Sequence, residues 1–116
     1  MSQSKRHQKW VINQEIEKTK ASARVERKVL AYSDDLMCVE NYFEKGAVGA
    51  LHSHPHTQIT YIASGKFEFT IGEETRIVHP GDTLLKEDGI IHGCVCLEEG
   101  LLIDFFNPAR EDFVSE

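Results

Sequence analysis

The chain has 116 residues, 41% hydrophobic and 28% charged, which is apolar material for one core and one domain. No apolar run approaches the ~20 residues of a membrane helix, and the polar, basic residues 1–9 lack the apolar stretch of a secretory signal, so a cytoplasmic protein is expected. A net charge of −6 argues against nucleic acid, which is held by concentrated positive charge.

Residues 1–9 read as a flexible arm whose basic cluster, Lys5, Arg6, His7 and Lys9, is solvated; residues 10–116 form the domain. Residues 10–16 alternate weakly and are predicted to be a first strand, one able to pair with a partner subunit and cover a sheet edge. Strands are predicted over 24–32 and 36–44, joined at Ser33-Asp34-Asp35. Lys45-Gly46 then breaks the pattern. Residues 58–63 are apolar and β-branched and close at Ser64-Gly65. Residues 66–71 alternate, with Phe67, Phe69 and Ile71 on one face and Lys66, Glu68 and Thr70 on the other. Gly72-Glu73-Glu74 turns the chain into a strand over 75–79, which His79-Pro80-Gly81-Asp82 ends. Strands over 83–86, 90–97 and 101–106 follow, the last two separated by Glu98-Glu99-Gly100. About nine short strands at intervals of ~8–12 residues imply an all-β sandwich or barrel. The tail after Pro108 forms one helical turn or stays extended. Phe67, Phe69, Phe105 and Tyr61 are assigned to the core. Cys94 and Cys96 share a strand face as small buried thiols, and with Cys38 the odd count makes no disulfide framework.

Four histidines fall where chemistry is plausible: His52, His54, His56 and His92. Neutral imidazole is a common ligand for Zn, Fe, Ni and Cu. Residues i and i+2 on a strand point the same way, so His52 and His54 can grip one ion together. His52 and Gln58 are six residues apart, roughly 20 Å of straight strand, whereas a metal–ligand bond is ~2 Å long. If Gln58 joins the site, the chain must turn between His54 and Gln58, and Pro55 favours the break. His56 is assigned to the rim.

The spacing of Gly46, His52, His54, Gln58 and Gly65 resembles the first motif of the cupin superfamily, with Gln58 where that motif has Glu. Gly81, Gly89 and His92 resemble the second, with Glu87 in place of its Pro and Cys96 in place of its Asn. The resemblance implies a conical double-stranded β-helix (jelly-roll) barrel, usually dimeric, with a divalent metal inside. Three neutral imidazoles and a neutral amide would leave the ion's charge uncompensated. Such a set suits Lewis-acid work on an anionic or carbonyl-bearing ligand and suits a two-His-one-carboxylate oxygenase less well. It accepts Zn, Ni, Fe or Mn.

In the closing segment Leu102, Asp104 and Phe106 share one face and Leu101, Ile103 and Phe105 the other. One face of a barrel strand looks into the cavity. If that face holds Asp104, an ionisable carboxylate lies among apolar groups near a metal and is a candidate general acid/base. The alternative is an exposed Asp104 paired with Arg110, which follows a Pro-containing bend. Together with the run from Leu51 to Ile59, this segment resembles the small cupins of pectin and alginate degradation that linearise 4,5-unsaturated uronates. That resemblance implies metal ligands His52, His54, Gln58 and His92, catalytic residues Asp104, Phe106 and Arg110, and a small anionic sugar as substrate. The rival expectations are a metal-dependent dioxygenase or isomerase on another small molecule, and a non-catalytic metal- or sugar-binding cupin.

Overall fold

Strand alternation turns one face of each segment inward. In β3 (Met37–Phe43) Met37, Val39, Asn41 and Phe43 are buried, while Cys38, Glu40 and Tyr42 between them are partly exposed. A computed structural model of the protein describes residues 5–114. The other strands are β1 (Thr19–Ser22), β2 (Val25–Tyr32), β4 (Val48–His52), β5 (Thr57–Ile62), β6 (Lys66–Ile71), β7 (Glu74–Val78), β8 (Thr83–Lys86), β9 (His92–Glu98) and β10 (Gly100–Asn107). They form two antiparallel sheets, β1-β2-β3-β10-β5-β8 and β4-β9-β6-β7. Among the described residues no helix is long and apolar enough to cross a membrane.

Two apolar layers are separated by a polar one. The first layer gathers Phe43, Ile62, Phe67, Phe69 and Leu102 with their neighbours. The second gathers Tyr32, Met37, Val39, Phe106 and Ala109. Between them β3 contributes Asn41, β5 contributes Thr60, and β10 contributes Asp104, all buried. Gly65, at φ +85°, closes the β5–β6 turn so tightly that an added Cβ would sit 2.6 Å from the Gly100 Cα.

The strand predicted over residues 10–16 does not form. Asn13–Glu15 wind into a 3-10 turn with no buried residue, so the weak alternation has no core to face. The Asn13 side chain instead donates to Glu40 (2.7 Å) and accepts from Lys28 (2.7 Å), and Trp10 is 83% exposed. Two aromatic assignments also change. Phe105 and Tyr61 are 45% and 40% exposed, because each takes the outward phase of its strand. Cys94 and Cys96 are buried free thiols. After the cis Asn107–Pro108 peptide, Glu111–Phe113 form one 3-10 turn. Arg6 reaches that turn from the other end of the chain, bonding Glu111 (2.7 Å) and Asp34 (2.9 Å). The basic arm is therefore in contact with the barrel at this point; residues 1–4 lie outside the described residues.

Candidate metal centre

β4 ends at His52, which pairs directly with His92 on β9. Gly93 permits the approach: a Cβ there would lie 2.7 Å from the Gly49 carbonyl oxygen. His54 is beyond the strand, so alternation does not bring it to His52. A bend over Pro55 and His56 does, and it carries the chain from the four-stranded sheet to β5 in the six-stranded one. There the His54 carbonyl accepts from Gly89 N (3.1 Å), which ties the bend to the β8–β9 loop. One ring nitrogen from each of His52, His54 and His92 lies within 4.8 Å of the others, close enough to hold one metal ion.

The hydrogen bonds around these rings suit a cation. His52 Nδ1 and His92 Nδ1 face the Ala50 and Ile90 carbonyls, at 2.7 and 3.0 Å. A carbonyl only accepts, so it selects the tautomer with the proton on Nδ1 and leaves the Nε2 lone pair free. Burial pushes both His54 and His92 down to about 4, aided at His54 by the charge of Arg110 and at His92 by that of Lys86. Both imidazoles are then neutral at pH 7 and able to ligate. Both His54 nitrogens and Gln58 Oε1 are buried with no hydrogen-bond partner, although Gln58 lies against His54. A buried imidazole and a buried amide oxygen left without partners are costly unless something is bound there. The donor set therefore fits a divalent ion. His56 stacks edge-on to His54 and Phe106 and stands outside the trio.

Gln58 is oriented by its other end. Its Nε2 donates to Asp104 Oδ1 (2.9 Å), which turns Oε1 the opposite way. Asp104 is 5% exposed and is not paired with Arg110. Thr60 Oγ1 also donates to its Oδ1, and Asn41 Nδ2 donates to Oδ2 (2.7 Å). Behind these neutral groups stand two cations: Lys86 Nζ donates to Thr60 Oγ1 (2.9 Å), and Arg27 Nε donates to Asn41 Oδ1 (3.4 Å). Arg110 forks onto Asp112 through Nε (3.0 Å) and Nη2 (2.8 Å), with its guanidinium 5.3 Å from the Phe106 ring centroid and 4.3 Å from that of Phe113.

A cavity of about 240 Å³ is lined by the three histidines, Gln58, Asp104, Phe106 and Arg110. At ~30 Å³ per water it has room for about one sugar ring. Arg27, Lys86 and Arg110 also line it, against Asp104 as the single carboxylate, so it is cationic in a chain of net charge −6.

This barrel and its histidine group define the class. Residues 40–103 match the Cupin domain family, and the chain belongs to it. Within that family the chain is 48% identical, over 78% of its own length and 84% of the relative's, to the pectin degradation protein KdgF of Dickeya dadantii. The structure of KdgF from Halomonas sp. superposes with a TM-score of 0.86 at 39% identity, covering 90% of this chain and 96% of that one. A RmlC-like cupin from Shewanella frigidimarina gives a TM-score of 0.86 at 34% identity, covering 88% and 92%.

Asn41, Thr60, Lys86 and Arg27 were not singled out by the sequence reading. The signal available was phase: Asn41 and Thr60 are polar residues on the apolar beat of otherwise alternating strands, at Val39-x-Asn41-x-Phe43 and Gln58-x-Thr60-x-Ile62.

Proposed function

We propose that the protein is a metal-dependent enzyme that opens the ring of 4,5-unsaturated monouronates, the products of polysaccharide lyases. The observation that carries this reading is the buried Asp104 carboxylate in the same small cationic cavity as the histidine trio. The likeness to pectin degradation proteins supports the substrate class.

The substrate is a cyclic enol ether with a hemiacetal carbon and a carboxylate. Opening breaks the C1–O5 bond; O1 gives up its proton as the aldehyde forms, and the resulting enolate takes a proton at C4 to become a ketone. One proton leaves and one arrives, so a single carboxylate can serve both transfers. Asp104 has that role. Asn41, Gln58 and Thr60 hold its oxygens in place and remove the need to reorganise during the transfer. Arg110 receives the substrate carboxylate through Nη1, which makes no hydrogen bond among the described residues. Phe106, between His54 and Arg110, is the apolar wall against which the ring lies. His52, His54, His92 and Gln58 Oε1 would hold the divalent ion, which supplies Lewis-acid polarisation of substrate oxygens.

The test is to mix metal-replete protein with unsaturated galacturonate and follow the ultraviolet absorbance of the double bond. Loss faster than in buffer is expected; a rate equal to the spontaneous one refutes the assignment. The working assembly is a homodimer in this reading, formed through the outer face of the six-stranded sheet. There Ile59 lies between its cross-strand partners Phe105 and Leu85, all three exposed, giving the self-matching apolar face that two-fold pairing requires.

A further inference from the structure

Lys86 is a lysine where a barrel interior would ordinarily hold an apolar side chain. It is the last residue of β8, 3% exposed, and pairs across the strands with Gln58. Burying an ammonium is costly unless it is paired, yet among the described residues no carboxylate lies within ion-pair distance of it. An ammonium carries three donors. One goes to Thr60 Oγ1 (2.9 Å), and the face of Phe69 lies 4.5 Å away in another direction. The remaining capacity meets no described acceptor, and the residue lines the cavity. Thr60 cannot absorb more, since its oxygen already accepts from Lys86 and from Gln58 Nε2 (3.3 Å).

Its placement is complementary to that of Arg110. Beyond burial, the charge of Arg110 bears on His54 and the charge of Lys86 on His92. Lys86 lies against the ring of Phe69 in the first apolar layer and Arg110 against those of Phe106 and Phe113 at the second, so the two cations reach the cavity from opposite layers. A ligand that spans them needs an anionic group for one and a lone pair for the other.

We propose that Lys86 is a ligand-binding residue whose ammonium takes a ring hydroxyl oxygen of the sugar, across the ring from the carboxylate held by Arg110. This rests on the uronate reading above and adds to it a specificity: the cavity selects a ring with a carboxylate at one end and an oxygen at the other. A ligand lacking that oxygen leaves the buried ammonium unpaired, which is how such sites reject close analogues.

The experiment uses metal-replete full-length protein and D-galacturonate, which lacks the double bond and is not consumed, together with its 2-deoxy and 3-deoxy forms. Binding is measured by calorimetry for wild type and Lys86→Met, alongside turnover of unsaturated galacturonate. A charged hydrogen bond is worth about 10- to 100-fold in affinity. Lys86→Met is expected to weaken galacturonate binding by about that factor and to lose nothing further on one of the deoxy sugars. In wild type, the Lys86 ε-carbon resonance is expected to shift on adding galacturonate and to stay put with that same deoxy sugar, a readout that does not depend on the variant folding. Equal galacturonate affinity in wild type and Lys86→Met, an equal loss for all three sugars, or a resonance unmoved by galacturonate overturns the role of Lys86 and leaves the enzymatic reading standing wherever wild type turns over substrate. A wild type that neither binds galacturonate nor consumes the unsaturated sugar overturns both.

Discussion

Asp104→Asn separates chemistry from architecture most directly. Aspartate accepts three hydrogen bonds here: Gln58 and Thr60 on Oδ1, Asn41 on Oδ2. An amide offers only one acceptor oxygen. Kept on the Gln58/Thr60 side, it turns its NH2 toward the NH2 of Asn41. Asn41 can flip its amide in response, but its NH2 then faces the Arg27 guanidinium, which it accepts from at present. Either way one buried donor is left without an acceptor, which costs about 1–3 kcal/mol of stability. The catalytic loss is larger. Removing a positioned proton-transfer group lowers the rate by about 10²- to 10⁴-fold, or roughly 2.7–5.5 kcal/mol of barrier. The assay is the decay of double-bond absorbance at saturating substrate, with metal content and denaturant unfolding measured on the same preparation. A variant within tenfold of wild-type kcat, metal retained, refutes Asp104 as the proton carrier. A variant that loses metal as well as activity shows instead that Asp104 acts by orienting Gln58.

Three further outcomes are expected. Arg110→Gln raises KM for the unsaturated uronate about tenfold or more by removing a charged carboxylate contact, and leaves metal content unchanged; an unaltered KM removes Arg110 from the binding role. His54 and His92 are held near 4, below the ordinary 6.5, so the unfolded chain binds more protons than the folded one between these values. The metal-free protein is therefore at full stability above pH 6.5 and loses stability as pH falls through that window; denaturant midpoints that do not change between pH 6.5 and 5 refute this. Phe105→Lys places a charge on the exposed apolar face of the six-stranded sheet, and a sedimentation mass falling from dimer to monomer is expected, whereas a wild-type monomer removes the assembly from the reading.

Much of this protein is legible in its sequence because alternation and turn chemistry are local. The Phe67–Phe69 beat, the Gly65 turn and the Ser33–Asp35 turn need no distant partner to be recognised, and strands formed at each place with strong alternation. Where the alternation was weak, at residues 10–16, a side-chain anchor on Asn13 outweighed it. Outward and inward beats could be told apart only by what packs against them, which is why Phe105 and Tyr61 read as core and are not. The histidine motif was visible as spacing, but the physical means of bringing His54 beside His52 was not. The strand stops at His52, and a bend into the other sheet supplies the rest.

The sequence by itself determined the class of barrel, the candidate ligands and the presence of an acid near the end of the chain. The tertiary structure alone decided what that acid touches. Asp104 meets Asn41, Gln58 and Thr60 across separations of 63, 46 and 44 residues, and Lys86 meets Thr60 across 26. These contacts exist because the sheet order β3-β10-β5-β8 lays four non-sequential strands side by side with one inward phase. Local propensity specifies each strand's beat; which strands become neighbours is set by burial of the two apolar layers as a whole, and the polar site is what that packing encloses.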